Sequence, residues 1–246
     1  MPNSRSAVPA PSDELLEDLV LGNHILFDQK IVDGLGHLSV RHDKDPNKYL
    51  MSRMRPPALV SEDDIITYDL DSNALGDDRK SYSERFIHGE IYKARPDVVS
   101  IVHCHTRSLI PFSVTKTPLR PIYHMSGFIG PNVPVFEIRE AASAPTNMLV
   151  RDPKLGQALA TCLAGHSVVL MRGHGATLVG HSIKNAVFRA IYTAENAALQ
   201  MDAMRMGEVT YLTPEEAALG AEVNENASTS LDRPWSNWKY QLLGKE

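Results

Sequence analysis

Two histidines in the segment "IVHCHTRS", residues 101–108, have the spacing of a metal site. The apolar, β-branched run before them predicts a strand, in which side chains two residues apart point to the same face. His103 and His105 then lie ~6–7 Å apart along the strand and can converge on one divalent ion, whereas Cys104 faces the other way. His174, between two glycines in "MRGHGAT", offers a third imidazole from a strand end. Three such ligands leave coordination positions open for a substrate.

The alternative for each histidine is an ordinary buried or surface residue. The chain has 10 histidines, and for any single one of them that interpretation is the simpler. A same-face pair together with a glycine-flanked third favours the metal site. A carboxylate is also needed, as a fourth ligand or as an acid/base, and both Glu84 and Glu90 precede the histidine strand. Spacing alone does not choose between them.

Helices alternating with short strands must position these residues. Apolar residues at helical spacing predict helices starting at Ser12 and covering 82–96, 107–114, 153–165, 182–207 and 213–223. Strands are predicted at 36–40, 48–53, 98–105, 119–124 and 133–138, through Tyr68, and on both sides of the glycine turn at 173–175. This order predicts one α/β domain over residues 13–225, with a loose arm at 1–12 and a tail at 226–246.

Composition narrows the class of protein. The 246 residues are 43% hydrophobic and 22% charged, and the formal net charge is −5, so neither nucleic acid nor a membrane is expected as a partner. No apolar run approaches the roughly 20 residues of a membrane span, and the N-terminal "MPNSRSAVPAPSDELLED" lacks the apolar core of a signal peptide. The two cysteines are too few for a disulfide framework. We expect a cytoplasmic enzyme that acts on a small molecule.

Two longer segments, "YSERFIHGEIYKARPDVVSIVHCHTRS" and "MRGHGATLVG", resemble the class II aldolase/adducin superfamily. They keep its Ser-Glu, the helix ending in Arg-Pro-Asp, the His-x-His strand and the later Gly-His-Gly. The resemblance implies a single-domain α/β/α sandwich with a mostly antiparallel central sheet, assembled as a homotetramer with active sites at subunit interfaces. It also implies that His103, His105 and His174 bind one divalent metal per subunit, and that Glu84 is the acid/base beside it.

The substrate segments depart from those of the sugar-phosphate aldolases in this family. Where those enzymes hold a phosphate with Gly-Asn-Leu/Val-Ser and Pro-Ser-Gly, this chain has "GHLS", with His37, and "LMSRMRPP", with Arg53 and Arg55. Guanidinium groups bind planar carboxylates through paired hydrogen bonds, so we expect a carboxylated substrate. The expected substrate-binding residues are His37, Arg53, Arg55 and Ser83. The alternative for each arginine is a surface charge.

Three further segments, "DGLGHLSVRH", "NKYLMSR" and "RPIYHMSGFIG", resemble a decarboxylase branch of the superfamily. That branch includes 3-hydroxy-2-methylpyridine-4,5-dicarboxylate 4-decarboxylase, dihydroxyphthalate-type decarboxylases and non-haem iron oxygenases of prenylated hydroxyphenylpyruvates. The resemblance implies that His124 lies in the pocket as a second catalytic residue; a structural histidine at a strand–loop junction is the alternative. Manganese or zinc is favoured by the resemblance, and iron or cobalt also suits three imidazoles and a carboxylate.

Aromatic residues stand out in the otherwise polar tail, where Trp235, Trp238 and Tyr240 fall within a few residues of one another. They either pack at a subunit interface over a neighbouring pocket, as C-terminal tyrosines of the family do, or anchor the tail on its own domain. The second is the simpler expectation for the two tryptophans.

The first functional hypothesis is metal-dependent decarboxylation of a hydroxy-substituted aromatic or heteroaromatic (di)carboxylic acid. The phenolate oxygen and the departing carboxylate would chelate the metal, an arginine would hold a second carboxylate, and Glu84 or His124 would protonate the ring carbon. Aldol cleavage of a non-phosphorylated hydroxy-oxo acid and oxygenation by non-haem iron are alternatives with the same ligands. A non-catalytic adducin-like module is the last alternative, and the retained metal histidines argue against it.

Overall fold

The strands of the chain lie in one mixed sheet. The computed structural model describes residues 9–143, 145–226 and 230–244. Within them the strands are β1 (His37–Arg41), β2 (Lys48–Ser52), β3 (Ile65–Asp69), β4 (Ser100–Cys104), β5 (Val135–Phe136), β6 (Val168–Met171) and β7 (Gly175–Gly180). Their order across the sheet is β3–β2–β1–β4–β7–β6–β5. Every pairing is antiparallel except that of β5 with β6.

Helices cover both faces of this sheet. They are α1 (Asp13–Asp28), α2 (Phe86–Ala94), α3 (Ile110–Val114), α4 (Ile138–Ala141), α5 (Pro153–Leu163), α6 (Ile183–Met206), α7 (Pro214–Asn226) and α8 (Asp232–Leu243). Apolar residues of α1, α6 and α8 fill the core on one face, and those of α2 and α5 fill the core on the other. The predicted α/β/α sandwich with a mostly antiparallel sheet is therefore confirmed. None of the helices described is long and apolar enough to cross a membrane.

The alternation of side chains along β4 separates structural from chemical residues. Val102 and Cys104 belong to the core beneath α1 and α6, whereas Ile101 belongs to the core beneath α2 and α5. His103, two residues from Ile101, shares its face because successive strand residues point to opposite sides. Cys104 is thus a buried core residue, as the spacing predicted.

Side-chain contacts explain where the predicted elements hold and where they fail. Of the two possible caps, Ser12 and Asp13, it is Ser12 that caps α1, by accepting a hydrogen bond from the amide of Leu15 at 3.4 Å. The predicted strand at 119–124 is wrong, and that segment is irregular. Its backbone amides are satisfied by α6, because Arg120 N–H donates to the side chain of Gln200 at 3.0 Å and Ile122 N–H to that of Asn196 at 2.9 Å. These side-chain amides replace a neighbouring strand.

The ends of the chain pack on its own domain where they are described. Trp235 and Trp238 of α8 are buried in the core with α1 and α6, whereas Tyr240 is exposed. Most of the predicted N-terminal arm, residues 1–8, and residues 227–229 and 245–246 of the predicted tail lie outside the described residues. The boundaries of the arm and tail, and an interface role for the tail, stay predictions.

Candidate active site and metal centre

Four side chains converge on one point near the C-terminal end of the central strand β4 and the turn between β6 and β7. Glu84, His103, His105 and His174 each offer one ligand atom, and these atoms all lie within 4.8 Å of one another. The Nε2 atom of His105 lies 3.2 Å from that of His103 and 3.0 Å from that of His174. Glu84 Oε2 lies 3.7 Å from His103 Nε2 and 3.5 Å from His174 Nε2. The structure thus brings together the three predicted metal ligands and the predicted acid/base.

Each of the four residues comes from the end of an element. His103 lies on β4. The strand ends at Cys104, one residue before its predicted end, so His105 directly follows it. His174 lies in the tight turn between β6 and β7, where its amide donates to Met171 O at 3.0 Å. Glu84 was expected near the start of a helix, but it precedes α2, in a turn where its carbonyl accepts from the amide of Ile87 at 3.0 Å.

The glycines on either side of His174 have different roles. Gly173 has a φ of +63°, a left-handed conformation that glycine adopts without strain. Gly175 does not need this conformation; instead, a Cβ atom at Gly175 would lie 2.0 Å from the carbonyl oxygen of Cys104. A side chain at that position would force β7 away from β4. The missing side chain therefore lets His174 approach the histidines that β4 supplies.

Backbone carbonyls orient two of the imidazoles for metal binding. His103 Nδ1 donates to Ala176 O at 3.2 Å, and His174 Nδ1 donates to Met148 O at 2.9 Å. Met148 has a φ of +74°, an uncommon conformation for a residue with a side chain, of the kind that clusters at functional sites. With the proton on Nδ1, both Nε2 lone pairs face the cluster, as in metal sites with ordered outer contacts. The residues present therefore fit a divalent ion.

The protonation states of Glu84, His103 and His105 suit metal binding, whereas Glu84 also favours the protonated form of His174, which would lose that proton to a bound metal. Burial lowers the pKa of His103 far below its ordinary value, and burial together with the charge of His174 lowers that of His105. Burial also opposes ionisation of Glu84, but a hydrogen bond from His174 and the charge of His103 outweigh it, so the pKa of Glu84 is lowered. For His174, burial is outweighed by Glu84, and its pKa is raised. Neutral imidazoles and one carboxylate are good ligands for a divalent metal.

A cavity of about 360 Å³ opens beside Glu84 and His105. Its wall combines polar groups with apolar side chains, and the remaining lining residues are Gly34, Leu35, Gly36, His37, Met54, Arg55, Pro56, Tyr82, Ser83 and Leu149. This mixture of an apolar wall and a few polar groups is typical of a small-molecule site. Three of the four predicted substrate-binding residues, His37, Arg55 and Ser83, line it.

The two predicted arginines share a buried carboxylate. Arg53 Nε lies 2.7 Å from Asp64 Oδ1 and Arg55 Nε lies 3.0 Å from Asp64 Oδ2. Asp64 is nearly inaccessible, and Ser61 also donates to it with its amide and its hydroxyl, both at 2.9 Å. Arg53 pairs with Asp64 without lining the cavity that Arg55 lines. A direct role for Arg53 in substrate binding stays a prediction, and its structural role is to neutralise Asp64.

His124 and Glu90 lie apart from this cluster within one chain. His124 begins a short 3₁₀ helix and lines a different cavity, with Tyr192 of α6, Asn224 of α7 and other residues. Within one chain His124 therefore does not line the cavity that Glu84 lines, and its place in the pocket and its catalytic role stay predictions. Glu90 forms an ion pair with Lys93 at 2.7 Å, which makes it a structural residue.

Sequence reasoning assigned no site role to Asp64, Tyr82 or Val150. The Tyr82 hydroxyl donates to the carbonyl of Arg55, and its ring lies 4.7 Å from that of His37, so it shapes the cavity wall. The amide of Val150 donates to Glu84 Oε1 at 2.9 Å. The aromatic Tyr82, directly before the Ser-Glu pair, was a usable signal for the cavity wall. Asp64, in the acidic run "SEDD", and the backbone amide of Val150 gave none.

Comparisons with known proteins agree with the fold. Residues 17–201 match the family described as Class II Aldolase and Adducin N-terminal domain. The chain is 36% identical to Decarboxylase tropJ of Talaromyces stipitatus, over 93% of this chain and 94% of that protein. It is 30% identical to 3,4-dihydroxyphthalate decarboxylase of Arthrobacter keyseri, over 78% of this chain and 79% of that protein. A solved L-fuculose 1-phosphate aldolase has a TM-score of 0.71 and 25% identity, covering 86% of this chain and 96% of its own.

Proposed function

Because the chain belongs to the class II aldolase and adducin family, we propose that it is a divalent-metal-dependent decarboxylase of a hydroxy-substituted aromatic or heteroaromatic dicarboxylic acid. The observation that carries this proposal is the convergence of Glu84 and three histidines beside a cavity that also holds Arg55. Decarboxylase relatives similar over most of the chain support it, and one of them is named for an aromatic dihydroxy dicarboxylic acid.

The metal would be held by His103, His105 and His174, with Glu84 beside them. Three nitrogens and one carboxylate oxygen suit zinc, manganese, iron or cobalt, and manganese or zinc is the ion we propose. A divalent ion bound there supplies a Lewis acid that stabilises negative charge on substrate oxygens.

The residues of the chain supply binding and proton transfer. Arg55 uses Nε toward Asp64, so its terminal nitrogens can donate to a substrate carboxylate. Glu84 is held at Oε1 by Val150, which leaves Oε2 facing the cluster. Because its pKa is lowered, Glu84 is a carboxylate at neutral pH and must first take up a proton from water. It can then deliver that proton to the ring carbon from which CO₂ departs.

A metal analysis combined with a CO₂ assay tests this proposal. Purified protein is expected to carry one divalent ion per chain and to release CO₂ from 3,4-dihydroxyphthalate or a related hydroxy-dicarboxylic acid, with phthalate as the control that lacks hydroxyl groups. His105→Ala should abolish both the bound metal and the CO₂ release, whereas His166→Ala, at an exposed histidine, should change neither. Protein without stoichiometric metal would contradict the proposal.

The same assay separates the alternative reactions. Aldol cleavage of a hydroxy-oxo acid would produce pyruvate without CO₂, and the fold shared with L-fuculose 1-phosphate aldolase is the reason to include this measurement. Consumption of oxygen by the iron-loaded protein would indicate an oxygenase. A non-catalytic module would bind no metal and turn over none of these acids.

We also propose that the protein is a homotetramer with active sites at subunit interfaces. Large apolar side chains are exposed, and among the described residues they include Leu35 at the cavity, Met206 at the end of the long helix α6, and Leu219 and Val223 on α7. Exposed apolar surface of this kind often marks an interface. Since His124 lines a separate cavity, it would have to reach Glu84 of a neighbouring subunit to act in catalysis. Light scattering should give about four times the 27.2 kDa chain mass.

A further inference from the structure

We propose that a buried chain of hydrogen bonds behind the cavity places the proton of His37 on Nδ1, so that His37 presents a hydrogen-bond acceptor to a hydroxyl group of the substrate. The positioning residues are His88, Ser39 and Tyr92. None of them lines the cavity. The identity of the substrate rests on the proposed function; the direction of the hydrogen bonds does not.

Four contacts form the chain. His37 Nδ1 lies 2.6 Å from His88 Nε2, and His88 Nδ1 lies 2.6 Å from the hydroxyl of Ser39. The Ser39 hydroxyl lies 2.8 Å from that of Tyr92, which donates to the carbonyl oxygen of Val99 at 3.3 Å. His88, Ser39 and Tyr92 are all buried, so each polar atom depends on these partners.

The carbonyl at the end of the chain sets its direction, because a carbonyl oxygen only accepts. The single hydrogen of Tyr92 points to Val99, so the Tyr92 oxygen must accept from Ser39. Ser39 has then donated its only hydrogen and must accept from His88 Nδ1–H. Burial lowers the pKa of His88 to about 3, so its ring carries one N–H and its Nε2 must accept. The donor to that nitrogen is His37 Nδ1–H.

The opposite direction satisfies fewer contacts. If Tyr92 donated to Ser39, Ser39 to His88 and His88 to His37, the contact of Tyr92 with Val99 O would carry no hydrogen. Three of the four contacts would be hydrogen bonds instead of four. Buried polar groups favour the arrangement in which every contact is made.

This arrangement leaves His37 Nε2 for the cavity. His37 lines the cavity, and its side-chain hydrogen bond among the described residues is made by Nδ1, to His88. The ring is held by neighbours on more than one side: its centroid lies 4.7 Å from that of Tyr82 and 5.0 Å from that of His103. In a neutral imidazole whose proton is on Nδ1, Nε2 accepts.

A hydrogen-bond acceptor at His37 Nε2 favours a substrate that carries a hydrogen-bond donor, such as a hydroxyl group. The other polar groups at the cavity include the guanidinium of Arg55, which only donates, and a carboxylate that lies at the histidine cluster. Arg55 therefore recognises the carboxylate of a hydroxy acid, and His37 recognises its hydroxyl. A site built to bond a hydroxyl discriminates strongly against the analogue that lacks it.

Two substitutions at His88 separate positioning from packing. His88→Gln keeps an acceptor oxygen for His37 Nδ1–H, whereas His88→Leu fills the space without one. Tyr92→Phe removes the hydroxyl that sets the direction but leaves His88 in place. With zinc-loaded protein, the wild type and His88→Gln should bind 3,4-dihydroxyphthalate more tightly than phthalate by calorimetry. In His88→Leu and Tyr92→Phe the preference should fall by about tenfold, a ratio equivalent to 1.4 kcal/mol and within the net contribution of one hydrogen bond.

Nitrogen-15 NMR of histidine-labelled protein gives a readout that needs neither substrate nor turnover. The His37 signals, identified by their absence in His37→Gln, should show the Nδ1–H form in the wild type and in His88→Gln. His88→Leu and Tyr92→Phe should gain the Nε2–H form. Wild-type protein in the Nε2–H form would overturn the proposed direction. An Nδ1–H form without preference between the two acids would overturn the recognition role, and the CO₂ assay reports separately on decarboxylation.

Discussion

Glu84 accepts a hydrogen bond from the backbone amide of Val150 at 2.9 Å, and this contact directs the second carboxylate oxygen at the histidine cluster. The two residues are 66 positions apart in sequence, in the turn before α2 and in the segment before α5. The carboxylate is therefore fixed by a backbone group that no substitution at position 150, short of proline, removes.

Replacing Glu84 by glutamine tests its role in proton transfer. The amide oxygen of Glu84→Gln can still accept from Val150, so we expect the fold to persist while CO₂ release falls by about 10²–10⁴-fold, the usual contribution of a positioned acid/base. Glu90→Gln is the matched control and should stay active, because Glu90 lies on α2 and pairs with Lys93. A Glu84→Gln protein with normal turnover and normal metal content would contradict the assignment.

Substitution by glutamine is expected to have different effects at Arg53 and at Arg55. Arg55→Gln removes a donor from the cavity wall, whereas Arg53→Gln removes only a partner of Asp64. A hydrogen bond to a charged group contributes about 1.5–3 kcal/mol, so Arg55→Gln should lower kcat/KM for a dicarboxylic acid by about 10- to 100-fold. Arg53→Gln should mainly lower the urea midpoint. Equal losses of kcat/KM would show that Arg53 also binds substrate.

The buried histidines predict a loss of stability in mild acid. The folded-state pKa of His88, about 3, lies below its ordinary value of 6.5, so the unfolded chain takes up the proton first as the pH falls. The stability from this group is complete above pH 6.5 and is lost as the pH falls toward 3. For metal-free protein, the free energy of unfolding should drop by about 1 kcal/mol from His88 alone between pH 7 and 5.5.

Urea titrations at several pH values measure this dependence. His37 and His103, whose pKa values are also lowered by burial, add to the same slope. His88→Gln should therefore have a shallower pH dependence than the wild type, even though its stability is lower. His166→Gln provides the control, because it removes a histidine that is exposed instead of buried. An unchanged slope in His88→Gln would mean that His88 is not neutral in the folded protein.

A side chain at Gly175 is expected to destabilise the protein, because β4 and β7 are too close together to accommodate it. A Cβ atom there would lie 2.0 Å from the carbonyl oxygen of Cys104, so Gly175→Ala must separate β4 from β7. Overpacking of this kind costs about 1–3 kcal/mol, and the shift should also weaken metal binding. Gly165→Ala is the matched control, because the Cβ atom that alanine adds there would have no other atom within 4 Å among the described residues. Urea midpoints and metal content of the two variants check the prediction.

The convergence of the three histidines could be predicted from sequence because their signal is local. A period of two along a strand places His103 and His105 together, and the glycines around His174 predict a tight turn. Glu84 could not be chosen over Glu90 by spacing; the family resemblance chose it, and the structure shows that the Val150 amide, distant in sequence, holds it in place.

The rest depends on contacts between residues that are far apart in the chain. The pairing of Arg53 and Arg55 with Asp64 has no periodic signal, since each of the 30 acidic residues is a candidate partner. The irregular segment at 119–124 has the β-propensity of a strand, but Asn196 and Gln200 of α6 satisfy its backbone instead. Tertiary contacts override local propensity in such cases.

The sharing of Asp64 by two arginines also determines the charge that a substrate must bring. Two guanidinium groups and one carboxylate leave one positive charge at that end of the site. With a divalent ion beside Glu84 in the proposed centre, a second positive charge remains at the other end. A dianion with its two carboxylates on neighbouring ring atoms balances both charges and makes the complex neutral, whereas a monocarboxylic acid leaves one positive charge uncompensated in a partly desolvated cavity.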